Sequence, residues 1–201
     1  MVRVLHPAPD VDRLRASLPN LPLRVVRPVL VVLSGLPGSG KSYFGRRLAQ
    51  RIPLLVLESD FLRKVLFSTP AYTGEESQRL FDACHTLTAD LLGQSIPVLL
   101  DSTNLIEYHR EHLYRITDMC GAKLIIVCVK APESVVRERL TARFRGADGQ
   151  SSSKADWNVY KKLLPTVDPV ISRHVVVDTS RDITPVIENV ASQIERWTRA
   201  R

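Results

Sequence analysis

Two spacings of apolar residues alternate along this chain. Short, mostly uncharged runs at Val29–Leu33, Leu54–Glu58, Val98–Asp101, Leu124–Val129 and Val175–Asp178 have the β-branched character of buried parallel strands. Between them the apolar positions recur at helical spacing. Leu80, Cys84, Leu87 and Leu91 share one face, and Val136, Leu140 and Phe144 repeat every four residues. Helix starts are also marked. Residues 41–51 read as a helix, Thr73-x-x-Glu76 is a capping box, Pro132 suits a first turn, and Pro185 follows the candidate cap Thr184. Strand–helix alternation predicts an α/β domain over residues 29–201, with a parallel sheet covered by helices on both faces. Residues 1–28 read as an N-terminal extension, with a short helix at Asp10–Ser17 and breaks at Pro19, Pro22 and Pro28. Ligands of such sheets bind beyond the carboxyl ends of the strands, so the residues after each strand carry the functional question.

The first strand runs directly into "SGLPGSGKS". The spacing Gly35-x-x-x-x-Gly40-Lys41-Ser42 is that of a phosphate-binding loop. Glycines at 35, 38 and 40 let backbone N–H groups approach an anion, and the helix that follows adds its dipole. The nucleotide contacts expected here span Gly35, Pro37, Gly38, Ser39, Gly40, Lys41, Ser42 and Tyr43. Lys41 is expected to reach the β- and γ-phosphates of a nucleotide, and the Ser42 hydroxyl to bind Mg²⁺.

The later strand ends supply carboxylates. Asp60 follows the second strand, where an acceptor hydroxyl near the γ-phosphate would find a general base; the competing reading makes Ser59 or Asp60 a plain helix cap. Arg63, three residues on, shares its helical face. Asp101 ends the third strand as a metal-linked carboxylate should, and Thr103 and Asn104 on the loop above it are candidate substrate contacts. Arg139 and Arg143 share a helical face, whereas Arg137 and Arg145 point elsewhere. The Gly/Ser-rich stretch Gly146–Ser153 beside them reads as the mobile part of a lid over about residues 139–154.

Composition narrows the partners. A 201-residue chain with 44% hydrophobic residues and 24% charged residues suits one soluble domain. No run approaches the roughly 20 apolar residues of a membrane span, and the N-terminus lacks a signal-peptide core. Cys84, Cys120 and Cys128 form no CxxC pair and read as free thiols, which fits a reducing cytoplasm. The net charge of +7 comes from dispersed arginines rather than one basic block, which points to an anionic ligand. No basic stripe with interleaved aromatics marks a long nucleic-acid track.

Over about residues 29–180 the chain resembles the P-loop kinases related to polynucleotide kinase. These belong to the broad group that includes gluconate kinase, chloramphenicol phosphotransferase and the zeta toxins. The resemblance rests on "GLPGSGKS", "SDFLR", "LLDSTN" and the arginines near 139–143. It implies a three-layer P-loop NTPase sandwich with a five-stranded parallel sheet in the order 2-3-1-4-5. It implies that Asp60 is the general base and that Arg63 contacts the acceptor. It further implies that Arg139 lies against the adenine, Arg143 reaches the phosphates, and Thr179 borders the base. The expected activity is transfer of the γ-phosphate of ATP, with Mg²⁺, to the hydroxyl of an acceptor, a small molecule in preference to a polynucleotide 5′-end. A protein that hydrolyses or binds ATP without phosphotransfer is the alternative from another class. A GTPase switch is excluded, because Asp101 is followed by Ser-Thr-Asn rather than x-x-Gly and no Asn-Lys-x-Asp is present.

Overall fold

A computed structural model describes residues 9–144 and 155–199. Five strands, β1 (Val29–Ser34), β2 (Leu55–Glu58), β3 (Val98–Asp101), β4 (Lys123–Lys130) and β5 (His174–Asp178), form one parallel sheet in the order β2-β3-β1-β4-β5. Because side chains alternate across a strand, each strand feeds two cores. Leu30, Val32, Leu57, Val98 and Leu100 point to one face, while Val31, Leu33, Leu99 and Val127 point to the other.

Helices cover both faces. On the first lie α1 (Pro9–Ala16), α3 (Ser59–Leu66), α4 (Gly74–Gly93) and α5 (Glu107–Met119), packed through residues such as Leu14, Leu62, Leu87 and Leu113. The second is closed by α2 (Lys41–Arg51) and α8 (Thr184–Arg199), through Phe44, Leu48, Val190 and Ile194. Burial of each such side chain contributes roughly 1.5–3 kcal/mol, so the two layers dominate the stability of the fold. A smaller cluster joins α6 (Glu133–Phe144) to α7 (Trp157–Leu163) through Val136, Leu140 and Tyr160.

The structure refines several expectations. Helix α1 is part of the core: Val11 and Leu14 are buried in it, and Asp10 and Arg15 pair with Arg79 and Asp90 of α4. The α4 box closes more widely than its spacing predicts. Thr73 Oγ1 accepts from the Glu76 N–H at 3.2 Å, but the Glu76 carboxylate turns to the N–H groups of Ala71 and Tyr72. Thr184 is already the first residue of α8, and Asp182 accepts its N–H at 2.9 Å. The cysteines are free thiols, and burial pushes the Cys84 thiol up to about 12. Arg145 and the expected mobile stretch Gly146–Ser153 lie outside the described residues.

Arg110 of α5 has no counterpart in the sequence reading. It is completely buried and donates to Glu107 Oε2 at 2.6 Å and to the carbonyls of Asn104, Asp168 and Pro169 at 2.6, 3.0 and 2.8 Å. One guanidinium therefore joins the loop after β3 to the segment before β5. Arg110→Met removes every donor and leaves three carbonyls and a carboxylate poorly matched. The expected loss is about 3 kcal/mol, read as a lowered urea midpoint.

Between α4 and α5 a set of rings packs together. Phe81 lies 5.2 Å from His109, and His85 lies 5.6 Å from His112, both pairs stacked. Desolvation, followed by the neighbouring His112 and His109, lowers the His85 imidazole to about 4. The unfolded chain takes up that proton near pH 6.5 while the native chain resists it. Stability is thus full above about pH 6.5 and falls as the pH drops toward 4, by on the order of 3 kcal/mol. His85→Phe keeps a stacked ring without a titrating group. Urea melts at neutral and acidic pH should show a shallower loss for this variant than for the unsubstituted chain.

Candidate active site

The carboxyl edge of the sheet is aligned by register. Asp101 of β3 pairs with Leu33 of β1 on one side and Glu58 of β2 on the other. The loop after β1, the start of α3 and the loop after β3 consequently open onto one cleft, with a cavity of about 1070 Å³. Single-ligand pockets are typically about 300–1,000 Å³, so there is room for two reactants.

Close packing shapes the phosphate loop. Gly40 has φ +94°, and a Cβ there would stand 2.7 Å from Thr179 Oγ1. At Gly35 a Cβ would run into the Val129 carbonyl, and the Gly35 N–H donates to Thr103 O at 3.0 Å. Thr179 braces the loop from the end of β5, its hydroxyl donating to Ser39 O at 2.6 Å. Arg139 completes the brace by donating to Thr179 Oγ1 at 2.8 Å and to Thr179 O at 2.9 Å. No side chain caps the N-terminus of α2, which leaves its first N–H groups facing the cleft as a ready anion site.

Lys41 sits at the centre of the charges. Its Nζ donates to Leu36 O at 3.1 Å. Desolvation lowers its pKa, Asp101 and Asp60 act against that shift, and Arg143 adds to it. Two carboxylates and a second cation thus lie within electrostatic reach of one ammonium. Asp101 is 5% exposed and raised by desolvation, with Lys41 and a hydrogen bond from Ser42 acting in the opposite sense. The Ser42 hydroxyl and the Asp101 carboxylate form an all-oxygen donor pair, of the kind Mg²⁺ prefers.

Asp60 lies inside the first turn of α3, whose N-cap position is Glu58, so it is not the cap of that helix. One turn further on, Arg63 is 7% exposed. Its Nη2 donates to Ser77 Oγ at 3.2 Å, Nη1 stands 3.5 Å from Glu76 Oε2, and its guanidinium lies 4.9 Å from the Tyr72 ring centroid. Nε and Nη1 have no hydrogen-bond acceptor.

Most of the residues singled out from sequence line this cleft, Lys41, Asp60, Arg63, Asp101, Arg139 and Arg143 among them. Pro37, Gly38, Gly40, Ser42, Tyr43, Thr103 and Thr179 do too. Gly35 and Ser39 belong to the loop without lining the cavity, Ser39 being 2% exposed. Asn104 borders the cleft as well. It is 4% exposed, and its amide donates to Leu33 O at 2.8 Å, closing the end of β1. Arg137 packs its guanidinium 5.6 Å from the Trp157 ring centroid, away from the cleft. Sequence reasoning missed Arg46, Tyr72, Ser77, Phe81 and His109, which line the cleft from separate helices and loops. Their spacing carries no recognisable pattern.

The profile of the AAA domain family matches residues 30–169. An L-seryl-tRNA(Sec) kinase of Methanococcus maripaludis is 26% identical over 116 residues, 55% of this chain and 44% of that protein, so the match spans less than half of the relative's length. An adenylate kinase of Nocardia farcinica is 26% identical over 179 residues, covering 83% of this chain and 99% of that protein. The solved APS kinase CysC of Mycobacterium tuberculosis, in complex with AMPPNP and APS, has a TM-score of 0.63 at 18% identity, over 84% of this chain and 98% of that one. Among the described residues, no helix is long and apolar enough to cross a membrane. With a phosphate loop, a parallel sheet in the order 2-3-1-4-5 and a match over most of its length, this chain belongs to the AAA domain family and has a P-loop kinase-like fold.

Proposed function

We infer that this chain transfers the γ-phosphate of ATP to a hydroxyl of a small anionic acceptor. One observation carries the reading. Asp60 shares the cleft with Lys41, and one turn along the same helix Arg63 lines it too, held by Ser77 and by Glu76 at 3.5 Å. A guanidinium fixed in that place beside the reacting centre suits an anionic group on the acceptor, because a carboxylate or phosphate matches its planar fork. The relatives support phosphotransfer: one is a kinase of a seryl-tRNA, another an adenylate kinase.

The residues would divide the work as follows. Backbone N–H groups from Gly38 to Ser42 and the α2 N-terminus hold the β-phosphate, while Lys41 and Arg143 balance charge at the γ-phosphate. Arg139 and Thr179, which brace the loop, would border the nucleotide. Ser42 and Asp101 would hold Mg²⁺, whose charge offsets that of the phosphates. Arg63 and Thr103 orient the acceptor so that its hydroxyl points at the γ-phosphorus beside Asp60. The hydroxyl oxygen bonds to that phosphorus, the bond to the β-γ bridging oxygen breaks, and the proton passes to the Asp60 carboxylate. ADP and a phosphomonoester result.

Nucleotide consumption with and without candidate acceptors tests this. Expected is slow ADP release alone and a rise of at least about 10²-fold with a matching anionic alcohol, because positioning supplies most of the rate. The same rate with every addition would favour an ATPase.

A further inference from the structure

The two edges of the sheet are finished differently. At one, β2 is four residues long, closely follows Pro53 and ends in Glu58, with Leu55 and Leu57 buried. Short strands, prolines and charges keep an edge from pairing with another chain. At the other, β5 reads His-Val-Val-Val-Asp, without proline, and His174 and Val176 are exposed, Val176 to 46%. Among the described residues, β4 is the one strand paired with β5. The Thr179 N–H just past the strand donates to Lys130 O at 2.9 Å, and in a parallel ladder alternate residues face the same neighbour. The backbone groups of Val175 and Val177 therefore point to β4, and those of His174, Val176 and Asp178 point away from it. Helix α8 packs against α2 and β1, set back from this edge.

We propose that the β5 edge pairs with the β5 edge of a second copy of the chain, antiparallel and centred on Val176, to form one ten-stranded sheet about a twofold axis. The register is self-complementary. With Val176 opposite the partner's Val176, His174 stands opposite the partner's Asp178, and Asp178 opposite the partner's His174. These are the three residues whose N–H and C=O groups point outward, so each facing pair can exchange both hydrogen bonds of an antiparallel ladder. Their side chains share one face of the strand, with a valine pair in the middle and a carboxylate opposite an imidazole on each side. Asp178 Oδ1 accepts from the N–H and hydroxyl of Ser180. Its Oδ2 has only the exposed Arg181 at 3.7 Å among the described ion pairs, which leaves room for the imidazole. The His174 Nδ1 donates to Ser172 O at 2.9 Å, so Nε2 is the atom that meets the carboxylate, and an acid there keeps the proton on the ring. An extended peptide from another protein would meet the same backbone groups without these two reciprocal pairs. Because the copies run antiparallel, their clefts open at opposite ends of the shared sheet, and the pairing stands independently of the phosphotransfer reading.

Sedimentation velocity of the full chain over a concentration series should show a monomer–dimer equilibrium. Val176→Lys sets two ammonium groups face to face and should raise the dissociation constant at least about tenfold, with an unchanged circular-dichroism spectrum. His174→Asp sets carboxylate against carboxylate, and Asp178→Lys sets ammonium against imidazole, so each variant alone should also dimerise more weakly. Mixed one to one, these two should recover the dimer, because the new carboxylate of one faces the new ammonium of the other. Amide exchange at His174, Val176 and Asp178 should slow as the dimer forms, while that at Val175 and Val177 holds. A monomer at every concentration up to about 1 mM would overturn the proposal. So would a dimer that Val176→Lys leaves intact, or a mixture no tighter than its components. Protection of the same amides by an added extended peptide, with the chain itself monomeric, would overturn it too and give the edge to another partner.

Discussion

Lys41→Met is expected to lower ATP-dependent turnover by roughly 10³ or more, because the lysine supplies the fixed positive charge at the transferring phosphate. Folding should survive. The native ammonium is desolvated, and its direct hydrogen-bond partner is the Leu36 carbonyl of its own loop. Replacing it with an uncharged side chain of similar length relieves that desolvation. It also withdraws the positive neighbour that opposes the raised pKa of Asp101, so that carboxylate should move further up. Circular dichroism and a urea melt, run beside the kinetic assay, separate a dead site from an unfolded chain. Near-normal turnover in a folded Lys41→Met chain would end the phosphate-loop assignment.

Asp60→Asn should reduce the rate of transfer to an acceptor by about 10²–10⁴, the range for loss of a general base. The variant keeps size and polarity but cannot take the proton. Nucleotide affinity should hold, since Lys41, Ser42 and Asp101 are untouched. Stability should barely change, because the cap position of α3 belongs to Glu58 and no helix terminus depends on Asp60. Those two controls matter. A fall in turnover with unchanged ATP binding and unchanged melting locates the defect in chemistry. A wild-type rate would move the search for the base to Glu58 or Asp101, which pair with each other in register on the sheet edge.

Much of this was legible in the sequence, for physical reasons. Val29–Leu33 and Val98–Asp101 read as strands because a sheet covered on both faces needs uninterrupted apolar residues. The phosphate loop was visible because close backbone packing enforces glycines at fixed intervals; Gly40, against Thr179, is the clearest case. What remained hidden depends on contacts between distant segments. Arg110 looks like any polar helix residue until the fold brings the carbonyls of Asn104 and Pro169 to it. Asn104 stands out in "DSTN" as a cleft residue, but its amide bond to the Leu33 carbonyl at the end of β1 appears only in the fold. Phe81 and His109 are 28 residues apart in numbering and meet only because α4 and α5 pack side by side. Arg139 stood out by its spacing, but its brace through Thr179 requires β5 to end beside the phosphate loop.

The central claim concerns where the γ-phosphorus goes. ³¹P NMR of the chain with ATP, Mg²⁺ and each of a panel of small anionic alcohols in turn follows it directly. With the matching acceptor the account predicts one new phosphomonoester for each ADP formed, appearing about 10²–10⁴-fold more slowly with Asp60→Asn. Phosphorus released only as inorganic phosphate, at a rate indifferent to any hydroxyl compound supplied, would contradict it.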